Sequence, residues 1–386
     1  MMLNESGMWT MRADLPVSFT IHKSTGLFDK DNLDILGHGN CGAGSRRLIV
    51  IDLKVSELYL KQIVSYFEHH GVEYHVTILD AVETNKNLEA LVYLLGEIER
   101  FALLRRNEPI IAIGGGVLLD VVGMAAGLYR RGVPYIRVPT TLLGLVDGGI
   151  GAKTGINFQD RRNRLGSYYP PVAVYLDITF LKTLEPIEIS SGMGEILKMA
   201  IVKDAELFGL LEYEGKALYQ NKFIGCKSAD EVINRSVKGM KDELQTNLWE
   251  SDLKRYVDFG HSFSPIIEMR SLVDDEVPSL THGQAVALDV IFSCVISMHR
   301  GMLIKEDVIR VITTARAMNL PIFHPYFGIP TLVLEALKDT MKHRNGDQNL
   351  PVPRSIGDSV FINDVTFDEI KTASISMRSL QDEVEL

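Results

Sequence analysis

Between residues 113 and 177 the chain reads IGGGVLLDVVGMAAGLYRRGVPYIRVPTTLLGLVDGGIGAKTGINFQDRRNRLGSYYPPVAVYLD, which sets glycines, acids, paired threonines and cations beside short apolar runs. Gly114-Gly115-Gly116 ends one such run and opens an amphipathic stretch, so backbone amides can approach a pyrophosphate closely at a helix N-terminus. The third glycine of a GxGxxG fingerprint would fall at Leu119, and a tight strand-to-helix turn explains the glycines almost as well. Asp120 lies one helical turn further on, and Asp52 ends an earlier strand, where it could accept a ribose hydroxyl. A helix-start or turn role is an equal reading for either aspartate. Pro139-Thr140-Thr141 follows another strand, and Asp147 and Lys153 flank Gly148, Gly149, Gly151 and Gly155. A glycine-rich loop around a lysine can wrap a phosphate or a sugar, with Asp147 accepting hydroxyl protons. Arg130-Arg131 and Arg161-Arg162-Asn163-Arg164 add positive charge. The segment suits a phosphorylated, hydroxyl-rich ligand together with a dinucleotide.

A second set of residues could hold a metal. Glu195 lies in GMGEILKMA on an expected helix, with Lys198 three residues later on the same face. His261 sits in VDFGHSFSP and His282 in LTHGQAVALD. One Glu and two His form a catalytic zinc set that leaves a position open for substrate. Spacing alone does not select these three, because the chain has 10 histidines and a histidine at a helix start often has a structural role.

These residues need a scaffold. The first half alternates short β-rich runs at 47–52, 74–79, 109–113 and 135–138 with amphipathic stretches at 58–69, 88–104 and 117–129, the pattern of βαβ units and a parallel sheet. Beyond about residue 181 helical periodicity takes over, at 188–211, 229–244, 283–300, 305–318 and 332–342. The reading is an N-terminal tail (1–16), a Rossmann-like α/β domain with a mostly parallel sheet (17–182) and an all-α domain (183–386), with the boundary at 180–186 and the site in the cleft between them.

At 386 residues, 46% hydrophobic and 23% charged, the chain has the balance of a soluble globular protein of two domains. No apolar run reaches the ~20 residues that span a bilayer, and the first fifteen residues lack the plan of a signal peptide, so a cytoplasmic protein is expected. A formal net charge of −10 argues against nucleic acid or an anionic membrane as the main partner, and an anionic substrate must then meet a local cation cluster. Cys41, Cys226 and Cys294 show no metal-binding spacing and read as buried or incidental thiols.

Over residues 17–380 the chain resembles the sugar phosphate cyclases, the superfamily of 3-dehydroquinate synthase. The run GGGVLLDVVG, YRRG, VPTTLLGLVD, GAKTG, NRLG is similar to that family's core signature, and FLKTL, GMGEILK, FGHSF and HGQAV continue it in order. The resemblance implies a dehydroquinate synthase-like fold, NAD and Zn²⁺ (or Co²⁺) as cofactors, and Glu195, His261 and His282 as metal ligands. It assigns Asp120, Lys153, Asn163 and Lys198 to the catalytic pocket. Asp52, Glu83, Lys86, Gly115, Gly116, Asp120, Thr140, Thr141, Asp147, Lys153 and Thr183 fall on the cofactor side. Arg131 is similar to an arginine that reaches a neighbouring subunit's phosphate site, which implies a homodimer, and Arg162 joins the phosphate-orienting cations.

Departures from the pattern point to a branch. Dehydroquinate synthases show RxxxNxGHxxxH around a carboxylated substrate; here the run is Lys254, Asp258, Gly260-His261 and Pro265. An aspartate beside the substrate would repel a carboxylate yet could accept hydroxyl protons, so a substrate without the carboxylate is expected. DGGIGAKTGINF, NLWES, HSFSP and HRNGDQNLPVP resemble the 2-epi-5-epi-valiolone synthases, which cyclise sedoheptulose 7-phosphate for C7-cyclitol biosynthesis. There His343 replaces a family lysine. The chemistry this implies is transient oxidation at C5 by NAD, loss of phosphate from C7, return of the hydride, ring opening and intramolecular aldol closure. Cyclases that make 2-epi-valiolone or desmethyl-4-deoxygadusol from the same substrate, a divergent 3-dehydroquinate synthase, a related polyol dehydrogenase and an inactive NAD-binding regulator are the competing readings.

Overall fold

Apolar runs without polar alternation suit strands covered on both faces, and the first half of the chain folds accordingly. The protein is described by a computed structural model over residues 9–40, 44–159 and 161–385, so Cys41 and the start of the expected N-terminal tail lie outside the described residues. Strands β1 (Thr20–Ser24), β2 (Arg46–Asp52), β3 (Glu73–Leu79), β4 (Ile110–Gly114), β5 (Tyr135–Pro139) and β8 (Ala173–Asp177) make one six-stranded parallel sheet in the order β1-β8-β5-β4-β2-β3. The inner strands β4, β5 and β8 are buried at every position.

Helices α1 (Leu53–His69), α2 (Leu88–Phe101) and α3 (Gly116–Leu128) link the strands. Successive side chains of β2 point to opposite faces, so Leu48 and Val50 pack with α2 and α3 while Ile49 and Ile51 pack with α1 residues Ile63, Tyr66 and Phe67. From β2 the chain runs to β3 on one side and returns to β4 on the other. The sheet therefore reverses its order between β2 and β4, and a crevice opens outside their carboxyl ends. Asp52 and Gly114-Gly115-Gly116 sit on that rim.

Between β5 and β8 the end of the glycine-rich loop around Lys153 and the arginine-rich segment after it form an antiparallel hairpin, β6 (Lys153–Phe158) and β7 (Arg161–Tyr168). The second half is built from α4 (Pro186–Lys203), α5 (Ala205–Gln220), α6 (Ala229–Thr246), α7 (Ser264–Ser271), α8 (His282–His299), α9 (Lys305–Ala317), α10 (Pro330–His343) and α11 (Phe367–Glu385), with a small antiparallel hairpin, β9 (Leu350–Ser355) and β10 (Asp358–Ile362). The continuous helical pattern expected over 188–211 is broken at Asp204, whose carboxylate accepts from Leu207 N–H (2.9 Å) and caps a new helix. Among the described residues no helix is long and apolar enough to cross a membrane. Cys226 and Cys294 carry free thiols.

Helices α4 and α8 form the core of the second half, buried from Ile189 to Val202 and from Ala285 to Ser297 respectively. Their backbones touch. A Cβ on Gly283 would lie 1.7 Å from the carbonyl oxygen of Ser191, and one on Gly194 would lie 2.0 Å from that of Gly283. Ser191 Oγ in turn accepts the otherwise unpaired N–H of Gly283 (3.1 Å). This contact explains why GMGE and HGQ each carry a glycine beside a metal-type residue: it brings Glu195 and His282 side by side. Gly283→Ala should force the helices apart and cost about 3 kcal/mol by urea denaturation, with loss of metal retention, since overpacking against backbone cannot relax through a rotamer change.

Candidate active site

Glu195, His261 and His282 come from three separate elements, and their ligand atoms all lie within 4.8 Å of one another. Glu195 Oε1 is 3.3 Å from His282 Nε2 and 3.7 Å from His261 Nε2, and the two Nε2 atoms are 3.4 Å apart. His261 Nδ1 faces the carbonyl oxygen of Phe259 (3.1 Å) and His282 Nδ1 faces Glu268 Oε2 (3.0 Å). Both partners only accept, so each Nδ1 carries the proton and each Nε2 presents a lone pair to the middle of the cluster. Both oxygens of Glu195 are buried without a well-aligned hydrogen bond, one of them meeting Lys198 Nζ as an ion pair at 2.5 Å.

Two lone pairs and a carboxylate at these separations require positive charge between them. Burial lowers the affinity of both imidazoles for a proton, and His261 falls to about 4. At His282 the burial penalty is outweighed by Glu268 and Glu195, which raise it to about 9, so this ring favours positive charge, which a proton supplies where no metal ion is bound. The linked charges agree. Among the described residues, the carboxylates Glu83, Asp147, Glu195 and Glu268 are joined through Lys198, Arg162 and the His282 ring, an acidic surplus that accommodates an added cation. The donor set and the charge balance fit a zinc-type ion with an open coordination position.

Lys198, 1% exposed, extends from Glu195 to Asp147 Oδ2 (2.8 Å). Asp147 is carried by a π-helical turn, Gly144–Gly148, and burial raises its carboxyl even with Lys198 alongside, Glu195 adding to the rise. The loop that follows is pinned from below by Arg137. This arginine is fully buried in β5, and its guanidinium donates to the carbonyl oxygens of Gly151 (2.5 Å), Lys153 (2.9 Å) and Gly149 (3.3 Å). A charged residue inside an apolar strand is the one signal of it in the sequence.

At the crevice, Gly115 is the extended N-cap of α3 and has no side chain to satisfy the helix's first N–H groups. A Cβ on Gly114 would lie 3.1 Å from Asp52 Cβ, and one on Gly115 would lie 3.1 Å from Thr141 Cγ2. The cradle suits a pyrophosphate at a helix N-terminus. Asp52 also serves the scaffold: its Oδ1 caps α1 through Lys54 N–H (3.0 Å) and Val55 N–H (3.3 Å). Lys86, 3% exposed, donates to Asp120 Oδ2 and to Asn163 Oδ1, both at 2.6 Å. Thr140 N–H donates to the Gly114 carbonyl (3.0 Å), and Thr141 Oγ1 accepts from Gly144 N–H (3.0 Å). Thr183, just beyond β8, has its hydroxyl 2.9 Å from Tyr59 Oη.

Next to this group, Arg162 Nε donates to Glu83 Oε1 (3.1 Å), which also accepts from Asn157 Nδ2 (2.8 Å), while Arg162 Nη1 donates to Glu268 Oε1. Glu268 therefore links Arg162 to His282. It was missed in the sequence, where IIE after HSFSP has no spacing that marks it, although a ligating histidine generally needs an acceptor behind it. Glu268→Ala should lower zinc affinity about 10–100-fold in a chelator competition, since it frees the ring of His282 to turn and change tautomer. Unchanged affinity would remove Glu268 from the site.

The remaining residues are arranged differently. Lys153 is exposed at the start of β6 and pairs with Glu250, which also meets Arg255 and accepts from Tyr168 Oη (3.1 Å). Asp258 is paired through Arg255 Nε (3.1 Å) and Nη2, with Arg344 Nη2 3.8 Å away. Its charge is already met by the protein, which weakens the argument that it repels a carboxylated substrate. Arg255 thus takes the position expected of Lys254, whose side chain is exposed. His343 ends α10 largely exposed, and partial loss of solvent around the ring together with Arg164 lowers its imidazole. Arg131 is exposed in a turn after α3 with φ 61°.

Comparison with known proteins gives a consistent result. The N-terminal family profile of 3-dehydroquinate synthase matches residues 76–191 and the C-terminal one residues 192–344. A 2-epi-5-epi-valiolone synthase of Streptomyces albus is 44% identical over 380 residues, 97% of this chain and 91% of that protein. One from an Actinoplanes species is 42% identical over 381 residues, 97% of this chain and 94% of that one. The solved structure of ValA, a 2-epi-5-epi-valiolone synthase from Streptomyces hygroscopicus subsp. jinggangensis with NAD⁺ and Zn²⁺ bound, is similar with a TM-score of 0.90 at 45% identity, covering 96% of this chain and 99% of that one.

Proposed function

We propose, from the premise that the chain belongs to the 3-dehydroquinate synthase family, that it is a 2-epi-5-epi-valiolone synthase acting on sedoheptulose 7-phosphate. The observation that carries this reading is the likeness to such synthases over nearly the whole chain, together with a Glu-His-His cluster whose lone pairs converge. Glu195, His261 and His282 hold Zn²⁺ or Co²⁺, and the rim of Asp52, Gly115, Gly116 and Thr141 holds NAD. When bound, NAD supplies a transient hydride acceptor and the metal a Lewis acid for the C5 oxygen, chemistry that lets phosphate leave and the carbocycle close without net change in NAD.

The chain's own residues bind and orient. Lys198, fixed between Glu195 and Asp147, presents a permanent positive charge beside the metal position and stabilises negative charge that develops on substrate oxygen. Lys153 and Asn163, at the start of β6 and in β7, meet the phosphate, and Arg131 of a second copy completes that site in a homodimer. For Lys153 this requires exchange of its Glu250 partner for phosphate. Lys153→Ala should accordingly depress turnover; near-normal turnover would take it out of the site.

The deciding experiment supplies NAD and Zn²⁺ or Co²⁺ to the purified protein and compares phosphate release from sedoheptulose 7-phosphate and from the dehydroquinate precursor, with the product identified by NMR. Release from the heptulose phosphate alone, giving the 2-epi-5-epi-valiolone stereochemistry and no net NADH, is expected. A different C7 carbocycle would move the protein to a sister branch, and release from the carboxylated precursor alone would overturn the proposal.

A further inference from the structure

Arg162 sits in the β6–β7 hairpin of the α/β half, yet its guanidinium ends on two carboxylates from different parts of the molecule. Nε reaches Glu83, in the turn that follows β3 beside the cofactor crevice; Nη1 reaches Glu268, on α7 of the helical half. Side-chain exposures are 22% for Arg162, 27% for Glu83 and 5% for Glu268, so the contact to Glu268 is largely removed from water. Glu268 passes the contact on, accepting from His282 Nδ1 at 3.0 Å. Three residues further along the same turn as Glu83, Lys86 binds Asp120 and Asn163, the neighbour of Arg162 in sequence.

A guanidinium already engaged by two carboxylates on separate nitrogens is poorly disposed to accept a third anion. Its geometric effect is instead to hold the Glu268 carboxylate aimed at His282. That orientation keeps the proton on Nδ1 and the lone pair of Nε2 directed at the metal position. Its other end is held by Glu83 and, through Glu83, by Asn157. Anything that orders the Glu83 turn orders Arg162, and with it the ligand set.

We infer that Arg162 is a positioning residue that couples the two cofactor sites, so that NAD bound on the Glu83 side tightens zinc at Glu195, His261 and His282, and zinc tightens NAD by the same factor. This rests on the zinc and NAD reading above. The test is zinc affinity of the full-length, zinc-depleted protein by chelator competition, with and without saturating NAD, for wild type, Arg162→Ala, Arg162→Lys, Glu268→Ala and the double variant Arg162→Ala with Glu268→Ala. Wild type should bind zinc about 5–100-fold more tightly when NAD is present. Arg162→Ala should lose most of that factor and about 10-fold or more of the zinc affinity itself. The double variant should bind zinc no more weakly than Glu268→Ala alone, as expected of residues acting in one chain. Arg162→Lys keeps the charge without the fork and should lie between, which preserves the test if the alanine variant does not fold. Zinc affinity and its NAD dependence unchanged in both variants, with weaker inhibition by inorganic phosphate, would overturn the inference and put Arg162 on the substrate phosphate. Failure of wild type to bind zinc or NAD would instead end the parent reading.

Discussion

Glu195→Gln should give a folded protein that retains no zinc after dialysis and releases phosphate at least about 10³-fold more slowly, since several kcal/mol of transition-state stabilisation come from a Lewis acid of this kind. The substitution preserves shape and removes one charge. In the wild type Glu195 is 1% exposed and has no well-aligned hydrogen bond on either oxygen, so its charge is answered only by Lys198 and by whatever lies between the two Nε2 atoms. An amide in that place offers a neutral oxygen and a pair of N–H donors, and these would compete for the same lone pairs of His261 and His282. Metal analysis and phosphate release should fall together, and His261→Ala should show the same pairing of effects. Retention of stoichiometric zinc by Glu195→Gln would remove the carboxylate from the ligand set whatever happened to turnover.

What the sequence revealed about this site depended on how each residue's environment shapes local pattern. The inner strands were legible because burial on both faces leaves uninterrupted apolar runs such as residues 110–113. The glycine rim was legible as a turn, but its direction toward a crevice came only with the strand order. The β6–β7 hairpin escaped because most positions of β7 are exposed and polar, so RRNRLGSY has the composition of a loop although it is a strand. The metal trio was visible only through the order of whole motifs: Glu195 and His282 meet by a backbone contact between Gly194 and Gly283 that no spacing rule contains, and His261 joins them from the segment before α7. Supporting residues were the least legible. Glu268, Arg255 and Glu250 act through charge pairs and Arg137 through backbone carbonyls of a distant loop, and a lone acid or arginine carries no sign of such a partner.

Lys198→Met should separate metal binding from turnover, which is why it complements the first experiment. The ammonium is 1% exposed and is the cation shared by Glu195 and Asp147, at 2.5 Å and 2.8 Å. Methionine fills nearly the same volume and leaves two carboxylates without their common partner. Breaking a buried ion pair from one side costs about 3–5 kcal/mol, so zinc-stripped Lys198→Met should unfold at clearly lower urea concentration than zinc-stripped wild type. Its dependence on pH follows from Asp147. Burial already raises that carboxyl, and without Lys198 it rises further. A carboxylate whose folded value lies above its unfolded one binds more protons when folded, so this contribution to stability is present below about pH 4 and is lost as pH rises through the folded value. The stability deficit of the variant should therefore be larger at pH 8 than at pH 5. Zinc offers the remaining positive charge, and removal of a competing cation beside it should leave zinc retention undiminished. Turnover should still fall about 10²–10³-fold, the usual cost of losing one preorganised donor to developing negative charge. A variant that kept both zinc and full turnover would reduce Lys198 to a structural counter-ion, and one that lost zinc would show that the ammonium orients Glu195 rather than the substrate.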